Sequence, residues 1–267
     1  MRHIQSVRGA TNRTAVLLST TTITTPGATT YTLPTGTQYL DIELRGGGGG
    51  GGSGRTATSG RAIVGYGGGG AGGGEYVRDL FYGNGLMQGG DVLNLVVGRG
   101  GTAGINTVSG RTGAAGIASQ VVSHTRNGST LANNGLTHDT GIYGASYGVF
   151  YSISAAGGFA GKPASAIPAG AGQNFVVSWD VDQATARVIG SDGQNNSGTT
   201  TTSPGGSGGA GASGGGIGGR GATAATGLGT TGSAPGGGGG GGFGSAAGAA
   251  VQGTTGADGQ IVIKAYG

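Results

Sequence analysis

Few residues of this 267-residue chain are of types and spacings that could do chemistry. His3, His124 and His138 are not at metal-ligand spacing. His138-Asp139 beside Thr137 has the order of a base and its orienting carboxylate, yet an isolated loop histidine is the plainer expectation. Asp180 and Asp182 fall on one face of a strand-like run. A paired-carboxylate site or a calcium site would need that, but carboxylates at a hairpin end are more commonly just solvated. Gly98-Arg99-Gly100-Gly101-Thr102-Ala103 follows a strand-like run and loosely fits a dinucleotide-binding loop. That loop needs a helix opening behind it and an acidic residue further on, and neither follows. The expectation is a non-enzymatic protein with no catalytic residue, no metal site and no cofactor.

The aromatic residues offer a different chemistry. Tyr143, Tyr147, Tyr151 and Trp179 sit among Gly, Asn and Ser, a composition that suits contact surfaces, since a rigid ring supplies area at low entropic cost. Contact and internal packing stand as alternatives for these four. Phe150, Phe159 and Phe175 read as core.

Strands must position all of this, because no amphipathic helix of useful length is written in the chain. From Gln38 to Arg45, Leu40, Ile42 and Leu44 alternate with Asp41 and Glu43, as a half-buried strand requires. Leu33-Pro34-Thr35-Gly36 before it reads as a turn. Glu75 to Phe81 is strand-like, and Tyr82-Gly83-Asn84-Gly85 signals a turn. Asp91 to Val97 places Leu93, Leu95 and Val97 on one face and Val92 and Val96 on the other, which predicts burial on both sides. Phe175 to Asp180 and Thr185 to Ile189 read as two joined strands, and Gln260 to Tyr266 as a last one. Residues 1–25 are polar and Thr-rich, an edge strand or a docking arm.

Composition sets the class. Gly accounts for 71 residues, charged residues for 9%, and cysteine is absent, which excludes disulfide and thiolate frameworks. Wholesale disorder predicts high charge and few β-branched residues, the reverse of this chain. Collagen needs Gly at every third position with abundant Pro, and only 6 Pro occur. The net charge of +4 comes from scattered residues without interleaved aromatics, so no nucleic-acid partner is expected. Ala15 to Leu18 is too short an apolar run for a signal or a membrane span, so neither an export route nor membrane insertion is expected.

Glycine occurs in blocks, Gly46 to Gly52, Gly67 to Gly74 (broken by Ala71) and Gly236 to Gly242, that adjoin strands. Such blocks can adopt polyproline II helices with three residues per turn and no internal hydrogen bonds. Each backbone group then needs an outside partner, and runs packed side by side can satisfy one another. The expected fold is all-β, sandwich-like strands combined with packed polyglycine II segments.

Thr30 to Leu44 with Gly46 to Gly52, Gly72-Gly73-Gly74-Glu75-Tyr76-Val77, Gly90-Asp91 to Val97, Gly98-Arg99-Gly100-Gly101, and Gly256-Ala257-Asp258-Gly259-Gln260 to Tyr266 follow one another in an informative order. In that order the chain resembles the glycine-rich domain of bacteriophage tail-fibre, spike and baseplate-associated proteins. It also looks like tail-fibre-tip adhesins with packed glycine helices. The resemblance covers nearly all of residues 25–267; the aromatic stretch 117–200 departs from it by its length. It implies a virion protein assembled in the host cytoplasm, with other virion proteins and a bacterial surface receptor, an outer-membrane protein or glycan, as partners. It makes Tyr143, Tyr147, Tyr151 and Trp179 candidates for receptor contact. The expected organisation is an attachment arm over 1–25, a glycine-rich β domain over 26–116, an inserted aromatic β-rich region over 117–200, and the rest of the glycine-rich domain over 201–267. Virion position implies a homo-oligomer, with a trimer as the expected stoichiometry. A capsid fibre or decoration protein is the structural alternative, and an ice-binding or cell-wall protein is a third reading, which would want a flat, regular Thr or Ala face.

Overall fold

The computed structural model describes residues 15–59, 62–82, 88–105, 111–130, 137–138, 154–161, 186–191, 193, 202–223, 227–245 and 251–267. In chain order the strands are β1 (Leu17–Ile23), β2 (Gly27–Thr32), β3 (Tyr39–Arg45), β4 (Arg55–Ser59) and β5 (Ala62–Tyr66). Then come β6 (Tyr76–Tyr82), β7 (Val92–Val97), β8 (Ser119–Arg126), β9 (Ser129–Thr130) and β10 (Thr137–His138). The last are β11 (Ser154–Ala155), β12 (Ala186–Val188), β13 (Thr202–Ser203), β14 (Gly244–Ser245) and β15 (Gln260–Tyr266). Among the described residues there is no helix, and the class is all-β.

Two antiparallel sheets form a sandwich. One runs β1-β15-β3-β6, with β10 and β12 both pairing the outer edge of β6; the other runs β11-β8-β7-β2, with β9 on β8. The alternation over 38–45 is the alternation of β3. Leu40, Ile42 and Leu44 are fully buried and meet Ile261, Ile263, Leu93, Leu95, Val97 and Phe81 in one core between the sheets. The Pro34–Thr37 turn forms as the sequence predicts, with Gly36 at φ 89° and the Thr37 amide and hydroxyl donating to the Pro34 carbonyl. Asn127 and Gly128, at φ 50° and 78°, close the β8–β9 hairpin through a left-handed pair that suits strand twist.

Two-sided burial of β7 is not what forms. Leu93, Leu95 and Val97 are buried, whereas Val92 and Val96 are half-buried. Among the described residues no third apolar layer covers their side of the sheet, so the alternation carries one buried face. Strands from residues 117–200 join both sheets. β8 lies next to β7 inside the second sheet, β11 extends that sheet, and β12 extends the first.

Beyond the sandwich the glycine runs pair in a three-residue rotation. Along 46–54, the amides of Gly46, Gly49 and Gly52 donate to the carbonyls of Glu75, Gly72 and Gly69. Those of Gly47, Gly50 and Ser53 donate to Ile117, Ala114 and Arg111, and those of Gly48, Gly51 and Gly54 to Ala257, Thr254 and Val251. Each neighbour is met at every third residue, which is the signature of three residues per turn. The carbonyls repeat the pattern with parallel neighbours: Gly47 and Gly50 accept from Gly158 and Gly161, Gly48 and Gly51 from Gly101 and Gly104, Gly49 and Gly52 from Gly239 and Gly242. Six runs therefore enclose 46–54. The 236–243 run is enclosed in the same way by 46–54, 67–75, 251–257, 204–212, 216–222 and 229–233. A Cβ on Gly49, Gly50 or Gly51 would overlap the carbonyl of Phe159, Thr102 or Gly240 respectively, so backbone packs on backbone.

Candidate functional site

The directions of the runs define two unlike ends of the lattice. At one end the runs continue straight into sandwich strands: β3 leads into 46–54, 67–75 into β6, β7 into 98–104, and 251–257 into β15. At the other end lie the β4–β5 hairpin, the β13–β14 pair, and a second small core of Ala222, Phe243 and Val251. The described residues that flank 60–61, 106–110, 194–201, 224–226 and 246–250 lie toward this far end. Stretch 162–185 leaves it after Gly161, bonded to Gly50 and Gly113, and returns at Ala186 opposite Arg78 in the first sheet. Ile105 and Leu228 are well exposed beside this end.

Tyr143, Tyr147, Tyr151 and Trp179 lie outside the described residues, as do His3, Asp139, Asp180 and Asp182. The three tyrosines fall between β10, at the lattice-distal end of β6, and β11 beside Ser119 and Gln120. Trp179 falls on the connection that starts from the far end of the lattice.

Among the described polar residues, Asp258, Glu75 and Ser119 hold the junction of sandwich and lattice, and the Asp91 cluster closes the opposite end of the sandwich. Asp91, buried at the start of β7, is gripped by Arg126 (Nε to Oδ1 2.7 Å, Nη2 to Oδ2 2.7 Å), by His124 Nε2 at 2.9 Å, and by the Gln88 amide at 2.9 Å. Burial opposes its ionisation, but Arg126, Gln88 and His124 together outweigh burial and hold its carboxyl below the usual range. Gly90 precedes it at φ 91°, which explains the Gly-Asp pair seen in the sequence. Asp258 accepts the Gly100 amide at 2.8 Å and its carbonyl accepts Gly236. Glu75 accepts the Ala156 amide at 2.9 Å. Ser119 Oγ accepts from Gly98 and donates to the Arg45 carbonyl at 2.6 Å. The motifs around Glu75, Gly98 and Asp258 are thus seams that pass strands into glycine helices, whereas Gly90-Asp91 anchors the opposite end of the sandwich. Gly98 to Ala103 is one such run: the amides of Gly98, Gly100 and Gly101 are bonded to Ser119, Asp258 and Gly48, so they form no phosphate-facing loop. His124, which the sequence showed only to lack metal-ligand spacing, is fully buried in the Asp91 cluster, brought there by the β7–β8 pairing.

On the outer face of the first sheet, Arg78 clasps Asp41 through two 2.8 Å bonds and Lys264 meets Glu43 at 2.8 Å. These cross-strand pairs put charge on the face of the first sheet that points away from the core.

The sequence pattern of the glycine-rich domain family matches residues 23–266, and the chain belongs to that family. No curated protein matches the chain. No described helix is long and apolar enough to cross a membrane.

Proposed function

We propose that this glycine-rich domain protein is a non-enzymatic component of a bacteriophage virion, a tail fibre, spike or tail-tip protein that contacts the host cell surface. The observation that carries this reading is the polarity of the lattice. One end merges into a sandwich and carries the tight turns 212–215 and 233–236, while the residues flanking the longer connections between runs gather at the other. A lattice whose backbone groups satisfy one another is a stiff support on which connecting segments can vary without disturbing the fold. The order of the sequence motifs, which resembles that of phage fibre domains, adds the virion setting. In this reading Trp179 contributes to receptor contact from the connection leaving the far end, and Tyr143, Tyr147 and Tyr151 from a second one. The receptor is an outer-membrane protein or a glycan, other virion proteins hold the opposite end, and copies associate as a trimer.

The test is binding of the fluorescently labelled chain to intact bacteria. Removing 117–200 would take out β8 and unfold the sandwich, so the variants are short excisions within 163–184 and within 140–152. Saturable binding lost with either excision, in a protein that keeps its thermal transition, supports the proposal. A folded, correctly assembled protein that binds no cell of a broad host panel would sink it. The same stiffness favours the second reading, a capsid fibre or decoration protein acting as a spacer. Locating the chain on the particle by antibody labelling separates the two.

A further inference from the structure

We propose a second binding site, independent of the far-end connections: a saccharide-binding cleft on the side of the lattice where it meets the sandwich. Runs 229–233 and 251–257 lie side by side there. Between them and the β1–β2 turn opens a cleft of about 410 Å³, lined by Thr24, Thr231, Pro235, Thr255, Asp258 and Gln260 among others. That size falls within the usual range of small-ligand clefts, about 300–1,000 Å³.

The lining has the chemistry of a polyhydroxyl receptor. Thr24, Thr231 and Thr255 present exposed hydroxyls that make no hydrogen bond among the described residues. One oxygen of Asp258 accepts from Gly100, and the other has no partner among the described residues. Gln260 spends its carbonyl oxygen on Arg45, which leaves its amide donors open. Each threonine both donates and accepts, the carboxylate accepts, and the amide donates. A sugar, whose hydroxyls also do both, can match that mixture. Ala234, Pro235 and Ala257 supply the apolar patch against which the C–H face of a pyranose can rest. Among the described residues no cation lines the cleft and one carboxylate does, so the ligand class is neutral sugars, and anionic sugars are disfavoured.

The walls are also fixed before any ligand arrives. The Gly232 amide donates to Thr255 at 3.3 Å, Ala257 to Gly237 at 2.8 Å, and Gly236 to Asp258 at 2.8 Å, so the lattice itself sets the cleft width. Little ordering is left to be done on binding.

Titration of the isotope-labelled whole chain with glucose, galactose, N-acetylglucosamine and glucuronate, followed by amide NMR, tests the site. The expected result is saturable shifts centred on Gly232, Gly256 and Gly259 with at least one neutral sugar, and weaker binding of glucuronate. Asp258→Asn keeps an oxygen for Gly100 and should weaken binding by about fivefold through loss of a charge-assisted bond. Thr231→Val, whose hydroxyl has no structural bond among the described residues, should weaken it by roughly threefold even if the Asp258 variant fails to fold. Thr102→Val, on the adjacent 98–104 run and outside the cleft, should leave binding unchanged. The excision variants used for cell binding should still bind sugar, so failure of either proposal is visible without the other. Absence of saturable shifts with all three neutral sugars, shifts confined elsewhere, or glucuronate as the best ligand would overturn the proposal.

Discussion

The sandwich and the glycine lattice are two cores made by opposite rules. In the sandwich, Leu40, Ile42, Leu93, Ile261 and Ile263 are removed from water, and the backbone pairs within flat ladders. In the lattice, side chains are excluded from the interior, and each central run shares its backbone bonds among six neighbours. One core is stabilised by apolar area, at about 25 cal/mol per Å². The other must offset the large entropy of ordering glycine with backbone bonds worth about 1 kcal/mol each net. The difference teaches where each region tolerates change: the sandwich is hurt by losing atoms, the lattice by gaining them.

Substitution at Gly50 should break the comparison most sharply. A Cβ there overlaps the Thr102 carbonyl, and backbone on all sides cannot swing aside. Gly50→Val is expected to destabilise by more than about 4 kcal/mol, enough to prevent folding, as read by chemical denaturation. A stable Gly50→Val protein would show that the runs are not close-packed. Ile263→Ala tests the other core. It is fully buried between the sheets, and its truncation should cost about 3 kcal/mol, measured by the same unfolding curve. A similar small loss for both variants would erase the distinction between the two cores.

How far each core could be read from sequence follows the same division. β3 and β15 alternate because a half-buried strand has a period of two, and Leu40 to Leu44 and Ile261 to Ala265 fall on the inner face as that period requires. The glycine runs announced polyproline II packing, because Gly46 to Gly52 can neither form a strand face nor leave its amides unpaired. Partner choice was not legible. Without side chains, nothing in Gly46–Gly52 says that Gly47 meets Ile117 or that Gly49 meets Gly72. The Val92 and Val96 face misled because apolar residues on a strand do not reveal whether a further layer covers them. The Asp91 cluster was half visible. Gly90-Asp91 stood out as a motif, but His124 and Arg126 are brought in by the β7–β8 pairing, which only three-dimensional register discloses. The cleft of Thr231, Thr255 and Asp258 was invisible for the same reason.

Charge sharpens the comparison at the end of the sandwich away from the lattice. Asp91→Asn keeps the shape but weakens the bonds to Arg126 and His124, and should destabilise the sandwich by about 2 kcal/mol. The pH dependence gives an independent check. The folded carboxyl titrates below its unfolded value, so its contribution is fully present above about pH 4 and disappears as pH falls through the depressed folded value. Wild type should therefore lose stability in acid more steeply than Asp91→Asn, and the two thermal midpoints should converge at low pH. Parallel midpoint curves would mean that Asp91 is not the residue coupling acid to the sandwich.

The smallest effect is expected on the exposed sheet face. The Lys264 ammonium titrates above its ordinary range, chiefly through its hydrogen bond to Glu43, with burial opposing and the Glu43 and Asp41 charges assisting. A raised folded value means that the stabilisation is present below about pH 10.4 and is lost as pH rises through the folded value. Because this pair is partly open to solvent and screened by salt, Glu43→Gln should cost only about 0.5 kcal/mol near neutrality. The loss should shrink in concentrated salt, whereas that of Ile263→Ala should not, since apolar burial has no charge to screen. Equal salt responses would show that the outer ladder and the inner core are energetically coupled, and would join two faces of one sheet that the geometry keeps apart.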